Sequence, residues 1–242
     1  MSPPAGVTRI RLASTLAVDT GDGPRAGREL GSRKARTLLA LLAAARGRPV
    51  ATDRVVDALW HESPPADPAA NVATLVSRVR RTVGPSVVVG LPGAYALGGT
   101  WSLDVVEAEQ WCAEAAARLA AGEHALADAA AAAAQGLLGT EPALLDEVDD
   151  GWVLGVRAEV DDLRRTARHH RVTALLELDP AAAVRVASAG VVPDGDDERA
   201  VRDLMRALAA DGQTPAALTA YDRLARRLRD ELGSDPDRAT AD

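Results

Sequence analysis

The chain has 242 residues and a formal net charge of -7, enough for one large domain or two of ordinary size, each with its own core. One cysteine, Cys112, excludes an intrachain disulfide and a multi-cysteine metal site. With no apolar run long enough to span a bilayer and no signal peptide at its start, the chain is expected to be cytoplasmic, with no membrane partner.

The charge is unevenly placed. Residues 1–103 carry 13 Lys+Arg against 7 Asp+Glu, whereas residues 104–242 carry 15 against 28. A basic half joined to an acidic half suggests that only the first meets a polyanion.

Met1 to Gly6 reads as a loose start. Thr8 to Val18 alternates apolar and polar residues through Ile10, Leu12 and Leu16, which predicts a strand. The GDGP turn at Gly21 to Pro24 leads into a short polar strand ending near Leu30. Ser32 is placed to cap a helix running to about Arg46, with Leu38, Leu39, Leu41 and Leu42 on its buried side. Arg33, Lys34 and Arg36 crowd its first turn, where the helix dipole prefers acids, so an external anion is an expected partner. Gly47 and Pro49 end that helix, and Thr52 is expected to cap a second one, Asp53 to Trp60.

After the proline-rich loop His61 to Asp67 comes Pro68 to Gly84, PAANVATLVSRVRRTVG. Val72, Leu75, Val76, Val79 and Val83 fall on one narrow stripe, the spacing of a helix packed on a core. The opposite face carries Thr74, Ser77, Arg78 and Arg81, flanked by Arg80 and Asn71. Such a helix suits a DNA major groove, where arginine donates two bonds to guanine and hydroxyls hold phosphates. An ordinary amphipathic helix with solvated arginines is the competing reading. Residues 86 to 99, SVVVGLPGAYALGG, form two β-rich runs around a Leu91-Pro92-Gly93 turn, a hairpin.

A small antiparallel sheet, three helices and a hairpin wing follow one another in the order of a winged helix. From Gly31 to Gly84 the chain resembles the OmpR-type winged helix of the Streptomyces antibiotic regulatory protein family. The likeness rests on the basic opening of the first helix, Asp57-Ala58-Leu59-Trp60 followed by Pro64-Pro65, and Val76-Ser77-Arg78-Val79-Arg80-Arg81. Pro92-Gly93-Ala94-Tyr95 resembles the glycine–tyrosine wing, with Tyr95 expected to pack beneath it. The wing departs from that pattern because it contains no Lys or Arg, and it is discounted as a binding site.

Beyond Trp101 the chain becomes alanine-rich helix, read as Asp104–Leu119, Glu123–Leu138, a longer helix Trp152–Leu178 bent or broken near its start, a short one from Pro180, and a final pair Glu198–Ala210 and Pro215–Leu232. A polar loop is expected at Pro193 to Asp197. Arg118 to Ala130 is echoed at Ala207 to Ala220, and more weakly at Glu177 to Ala187. Helix end, polar turn and alanine-rich helix start repeat as in stacked tetratricopeptide-type hairpins. This half, 104–242, resembles the bacterial transcriptional activation domain of the same family through residues 137 to 152 and 220 to 236. The resemblance implies binding to repeated promoter elements by more than one protomer and recruitment of RNA polymerase through its sigma factor. It also implies control of a secondary-metabolite gene cluster.

No catalytic constellation stands out, and no cofactor or metal site is expected. The adjacent His169 and His170 point about 100° apart on a helix and read as solvated. Asp146, Glu147, Asp149 and Asp150 read as a charged loop. The chain is therefore expected to be a DNA-binding regulator, not an enzyme, with a mainly α fold: a winged helix at 1–103 and tetratricopeptide-like repeats at 104–242. Arg78 and Arg81 are expected to contact bases, and Asn71, Thr74, Ser77 and Arg80 to hold phosphates or flanking bases. Arg33, Lys34, Arg36 and Thr52 are expected on phosphates at the starts of the first two helices. Two alternatives remain: a helical-repeat adaptor whose winged helix binds protein, and the N-terminal module of a larger regulator.

Overall fold

A computed structural model describes residues 7–191 and 197–241. The start at 1–6 and most of the expected loop at 193–197 lie outside the described residues. The chain divides into two compact units. The first takes in everything up to Glu107 together with Leu137–Asp161, and the second comprises Ala108–Gly136 and the chain from Asp162 onward.

The first unit opens with β1 (Val7–Arg11), β2 (Ala17–Asp19) and β3 (Pro24–Ala26), paired antiparallel in sequence order. The expected strand Thr8–Val18 is thus two strands, broken where Leu12, Ala13 and Leu16 turn inward and are buried. The polar strand expected after the GDGP turn is β3, but it ends at Ala26, and a 3-10 turn, Gly27–Leu30, takes the place of its last residues. A fourth strand, labelled β7 (Thr100–Leu103), joins parallel to β1 with Ile10 opposite Leu103, so the sheet is mixed rather than purely antiparallel.

Three helices follow the opening strands. α1 (Arg33–Ala44) starts at Ser32, whose hydroxyl accepts from the Ala35 amide at 3.4 Å. It ends before Gly47, a residue with φ of 76° whose absent Cβ would lie 3.0 Å from the Trp101 ring. A side chain there would be strained and would strike the indole. β4 (Val50–Ala51) leads into α2 (Thr52–Trp60). Thr52 is the first residue of that helix and not its cap; its amide donates to Gly93 O at 2.9 Å in the hairpin. α3 (Pro68–Val83) begins at Asp67, whose carboxylate accepts from the Ala70 amide at 3.0 Å, with Pro68 at the position where an amide hydrogen is not needed. The hairpin, β5 (Val88–Leu91) and β6 (Ala94–Leu97), pairs with β4 in the order β4-β6-β5.

The first unit also takes in a later segment. α4 (Asp104–Ala120) starts there, and its Asp104 is a buried carboxylate. Asp104 accepts from the Leu12 amide at 2.9 Å, the Ala13 amide at 3.0 Å and the Val105 amide at 2.9 Å. Residues 137–161 add Leu144, which has a φ of 49° and is fully buried, with its amide donating to Leu12 O at 3.0 Å. Arg157 fixes the loop from within, donating to the carbonyls of Ala143, Leu144 and Glu147 and pairing with Asp149.

In the second unit α4 continues, followed by α5 (His124–Leu138), which lies there up to Gly136; α6 (Gly151–Leu178), one helix with no break near its start, belongs to it from Asp162 onward. α7 (Pro180–Ser188), α8 (Glu198–Ala210), α9 (Thr214–Arg227) with a π-helical extension to Leu232, and a short α10 (Arg238–Ala241) complete it. The sequence echo is a structural one. Gly122 donates to Leu119 O at 3.0 Å and Glu123 to Arg118 O at 2.9 Å. Gly212 likewise donates to Ala209 O at 3.1 Å and Gln213 to Leu208 O at 2.7 Å. Both glycines have positive φ, which ends each helix in the same left-handed turn. Alanines make the helix contacts: Ala115 with Ala130 and Ala131, and Ala183, Ala187 and Ala207 with Val172 and Leu175.

Leu144→Ala is expected to cost about 3 kcal/mol, as a cavity in a core does, read by denaturant unfolding of the full chain. Asp104→Ala strands three buried amides and is expected to cost about 3 kcal/mol. Burial pushes the Asp104 carboxyl above its ordinary value, against the pull of three amides and Arg11. The native state therefore keeps that proton to higher pH than the unfolded chain does. Wild-type stability relative to Asp104→Asn is thus expected to fall as pH rises from the ordinary aspartate value through the raised one.

Candidate nucleic-acid interface

Burial of Val72, Leu75, Val76, Val79 and Val83 fixes the rotation of α3. The opposite face, bearing Asn71, Thr74, Ser77, Arg78 and Arg81, is exposed. A shallow open depression is lined by Ala73, Thr74, Ser77, Arg78 and Arg81. Two of these polar residues are locally engaged: Thr74 Oγ1 donates to Ala70 O at 2.9 Å, and Asn71 Nδ2 to Asp67 O at 2.7 Å. Both keep acceptor lone pairs for another donor. Arg78 and Arg81 have no hydrogen bond or ion pair through their side chains among the described residues.

Other arginines of this unit are held. Arg25 donates to Thr82 O at 3.0 Å, tying β3 to the end of α3, and Arg46 pairs with Glu159. Arg80 is half-buried and turns away from the exposed face; its Nε donates to Val88 O at 2.8 Å in β5. The structure therefore separates Arg80 from Arg78 and Arg81, with which the sequence grouped it.

The basic start of α1 is also divided. Arg36 Nη1 donates to Gly31 O at 3.0 Å and Gly27 O at 3.5 Å, so this side chain buttresses the 3-10 turn where the sequence predicted a phosphate contact. Lys34 places its ammonium 4.4 Å from the Trp60 ring centroid, a cation–π contact. Arg33 and Lys34 line a cleft of about 300 Å³ with Thr37, His61, Glu147 and Trp152. Within it the Thr37 hydroxyl donates to Glu147 Oε2 at 2.6 Å. The chain's own buried Glu147 carboxylate thus stands beside this helix start, from a segment that reads in sequence as a charged loop. Thr52 is half-buried, with its amide committed to the hairpin.

His169 Nδ1 lies 2.9 Å from both oxygens of the buried Asp203, and His170 is half-buried, so neither is the freely solvated residue expected. Burial and the neighbouring His169 and Arg199 lower the His170 pKa. Burial, with the Glu109 charge, raises that of the buried Cys112 thiol, whose Sγ lies 4.0 Å from Leu163 O.

A winged helix followed by helical repeats is the architecture of a transcription regulator. The sequence pattern of the bacterial transcriptional activator domain matches residues 103–242, and the chain belongs to the Streptomyces antibiotic regulatory protein family. It is 32% identical over 208 residues to Regulatory protein AfsR of Streptomyces griseus, covering 85% of this chain and 21% of that protein. It is 29% identical over 246 residues to Transcriptional regulator RedD of Streptomyces coelicolor, covering 96% of this chain and 67% of that one. The chain thus spans about a fifth of AfsR. The fold is that of Mycobacterium tuberculosis EmbR, solved with a low affinity phosphopeptide, at a TM-score of 0.88 and 24% identity over 98% of this chain and 63% of that one. No helix among the described residues is long and apolar enough to cross a membrane.

Arg36→Ala is expected to lower stability by about 1–3 kcal/mol and to leave the salt dependence of duplex DNA binding unchanged. A shallower salt slope would return Arg36 to the phosphate contacts.

Proposed function

We propose that the chain is a sequence-specific DNA-binding transcriptional activator. α3 lies in the major groove with Arg78 and Arg81 on base edges, while Thr74, Ser77 and Asn71 position the backbone. More than one copy binds a promoter with direct repeats, and the helical half recruits RNA polymerase through its sigma factor. Control of a secondary-metabolite gene cluster is the expected setting. The observation that carries the reading is the pair of exposed arginines with no side-chain partner among the described residues, set opposite a buried stripe. The activator domain match over 103–242 supports the second half of it.

Arg78→Ala and Arg81→Ala are each expected to lose about 1–3 kcal/mol of specific binding and to relax preference at one base pair, if the arginine is a bidentate reader. Titration of each variant against the bound duplex and its single-base mismatches measures this. Unchanged affinity and preference in both would refute α3 as the reader.

A further inference from the structure

The cleft of about 300 Å³ in the first unit is walled by three stretches far apart in sequence: the start of α1, the end of α2 with His61, and residues 147–152. Opposite charges line it without pairing. Arg33 is exposed, and its side chain has no hydrogen bond or ion pair among the described residues. Glu147 is only 8% exposed. Its Oε2 accepts from the Thr37 hydroxyl at 2.6 Å, while its Oε1 has no partner among the described residues and is not sealed from the cleft. A buried carboxylate with a single hydrogen bond is short of donors, and a donor arriving from outside relieves that cost. Lys34 already stands over the Trp60 ring, so Arg33 is the cation placed to fork onto a carboxylate. Much of the remaining wall is apolar, with Val148 at 53% exposure and the half-buried Trp152. The acidic wall is held in place beforehand, because Arg157 donates to the carbonyls of Ala143, Leu144 and Glu147.

We propose that this cleft binds a small zwitterion, an α-amino acid with a bulky apolar side chain. Its ammonium donates to Glu147 Oε1, its carboxylate takes the Arg33 fork, and its side chain covers Val148 and Trp152. A simple anion would answer Arg33 and leave Glu147 short of a donor, and a simple amine would do the reverse. The volume lies at the lower end of the range for ligand sites, about 300–1,000 Å³, which suits an amino acid and is too small for a dinucleotide. The site shares no residue with the exposed face of α3, but the end of α2 leads through the loop after His61 into that helix. A ligand that joins α1, α2 and residues 147–152 stabilises the first unit by mass action. The stability of the unit that carries α3 then follows the concentration of an amino acid.

The test is isothermal titration calorimetry of the full chain with L-phenylalanine, L-leucine and L-tryptophan. At least one of the three is expected to bind. Its N-acetyl form, which lacks the ammonium, and its amide, which lacks the carboxylate, are each expected to bind about tenfold more weakly or worse. Arg33→Ala, a change at an exposed residue, is expected to weaken binding of the free amino acid about tenfold or more. Glu147→Gln keeps an acceptor for Thr37 but loses the charge, and the same loss is expected of it. Arg48→Ala, outside the cleft, is expected to leave binding unchanged. Failure of all three amino acids to bind would overturn the proposal, as would binding that Arg33→Ala leaves intact or that the blocked forms match. A chain that selects no duplex would refute the DNA-binding role and leave this site standing, since the calorimetry contains no DNA.

Discussion

The packing of one valine-rich stripe sets what this chain can present. Val72, Leu75, Val76, Val79 and Val83 are buried on the face of α3 that meets the leucines of α1. At about 1.5 kcal/mol or more for each large aliphatic side chain buried, the stripe holds the rotation of the helix against any alternative. A turn by one residue would bury Arg78 or Arg80 and expose valine, an exchange that costs far more than it returns. Holding that rotation keeps Arg78 and Arg81 outward with no side-chain partner among the described residues, and sends Arg80 sideways to the hairpin.

The winged helix is built from more of the chain than its own consecutive residues. Asp104 gathers the amides of Leu12, Ala13 and Val105, and Leu144 bonds to Leu12 from the far side of α5 in sequence. Glu147 then meets Thr37 in the first turn of α1. Part of the charge asymmetry is consequently resolved inside the first unit, since an acidic stretch from the acidic half sits beside the basic helix start. Arg78 and Arg81 of α3 stay exposed and without a side-chain partner among the described residues. Holding residues 137–161 within this unit also ties its stability to the chain beyond the hairpin, which a division after Leu103 does not convey.

Elements were legible where the signal is local. The stripe of α3, the Ser32 cap and the repeated glycine turns at Gly122 and Gly212 are set by residues within a few positions of one another, and the structure places each of them as the sequence indicates. What the sequence could not convey is which partner a long side chain takes. Arg36 and Arg80 are spent on carbonyl groups, and a carbonyl is present at every residue and leaves no mark in sequence. His169 finds Asp203 and Thr37 finds Glu147 across long separations, so both pairs required the fold. β7 was missed because four residues with one buried side chain carry too little periodicity, and its parallel pairing to β1 depends on everything between them.

Selection of bound sequences from a random duplex pool by the full chain tests the central claim most directly, with the winners then titrated against salt. The account predicts an enriched motif recurring as a direct repeat, with steep salt dependence. Binding without enrichment would contradict base reading by α3, and no binding at moderate salt would contradict a DNA-binding role altogether.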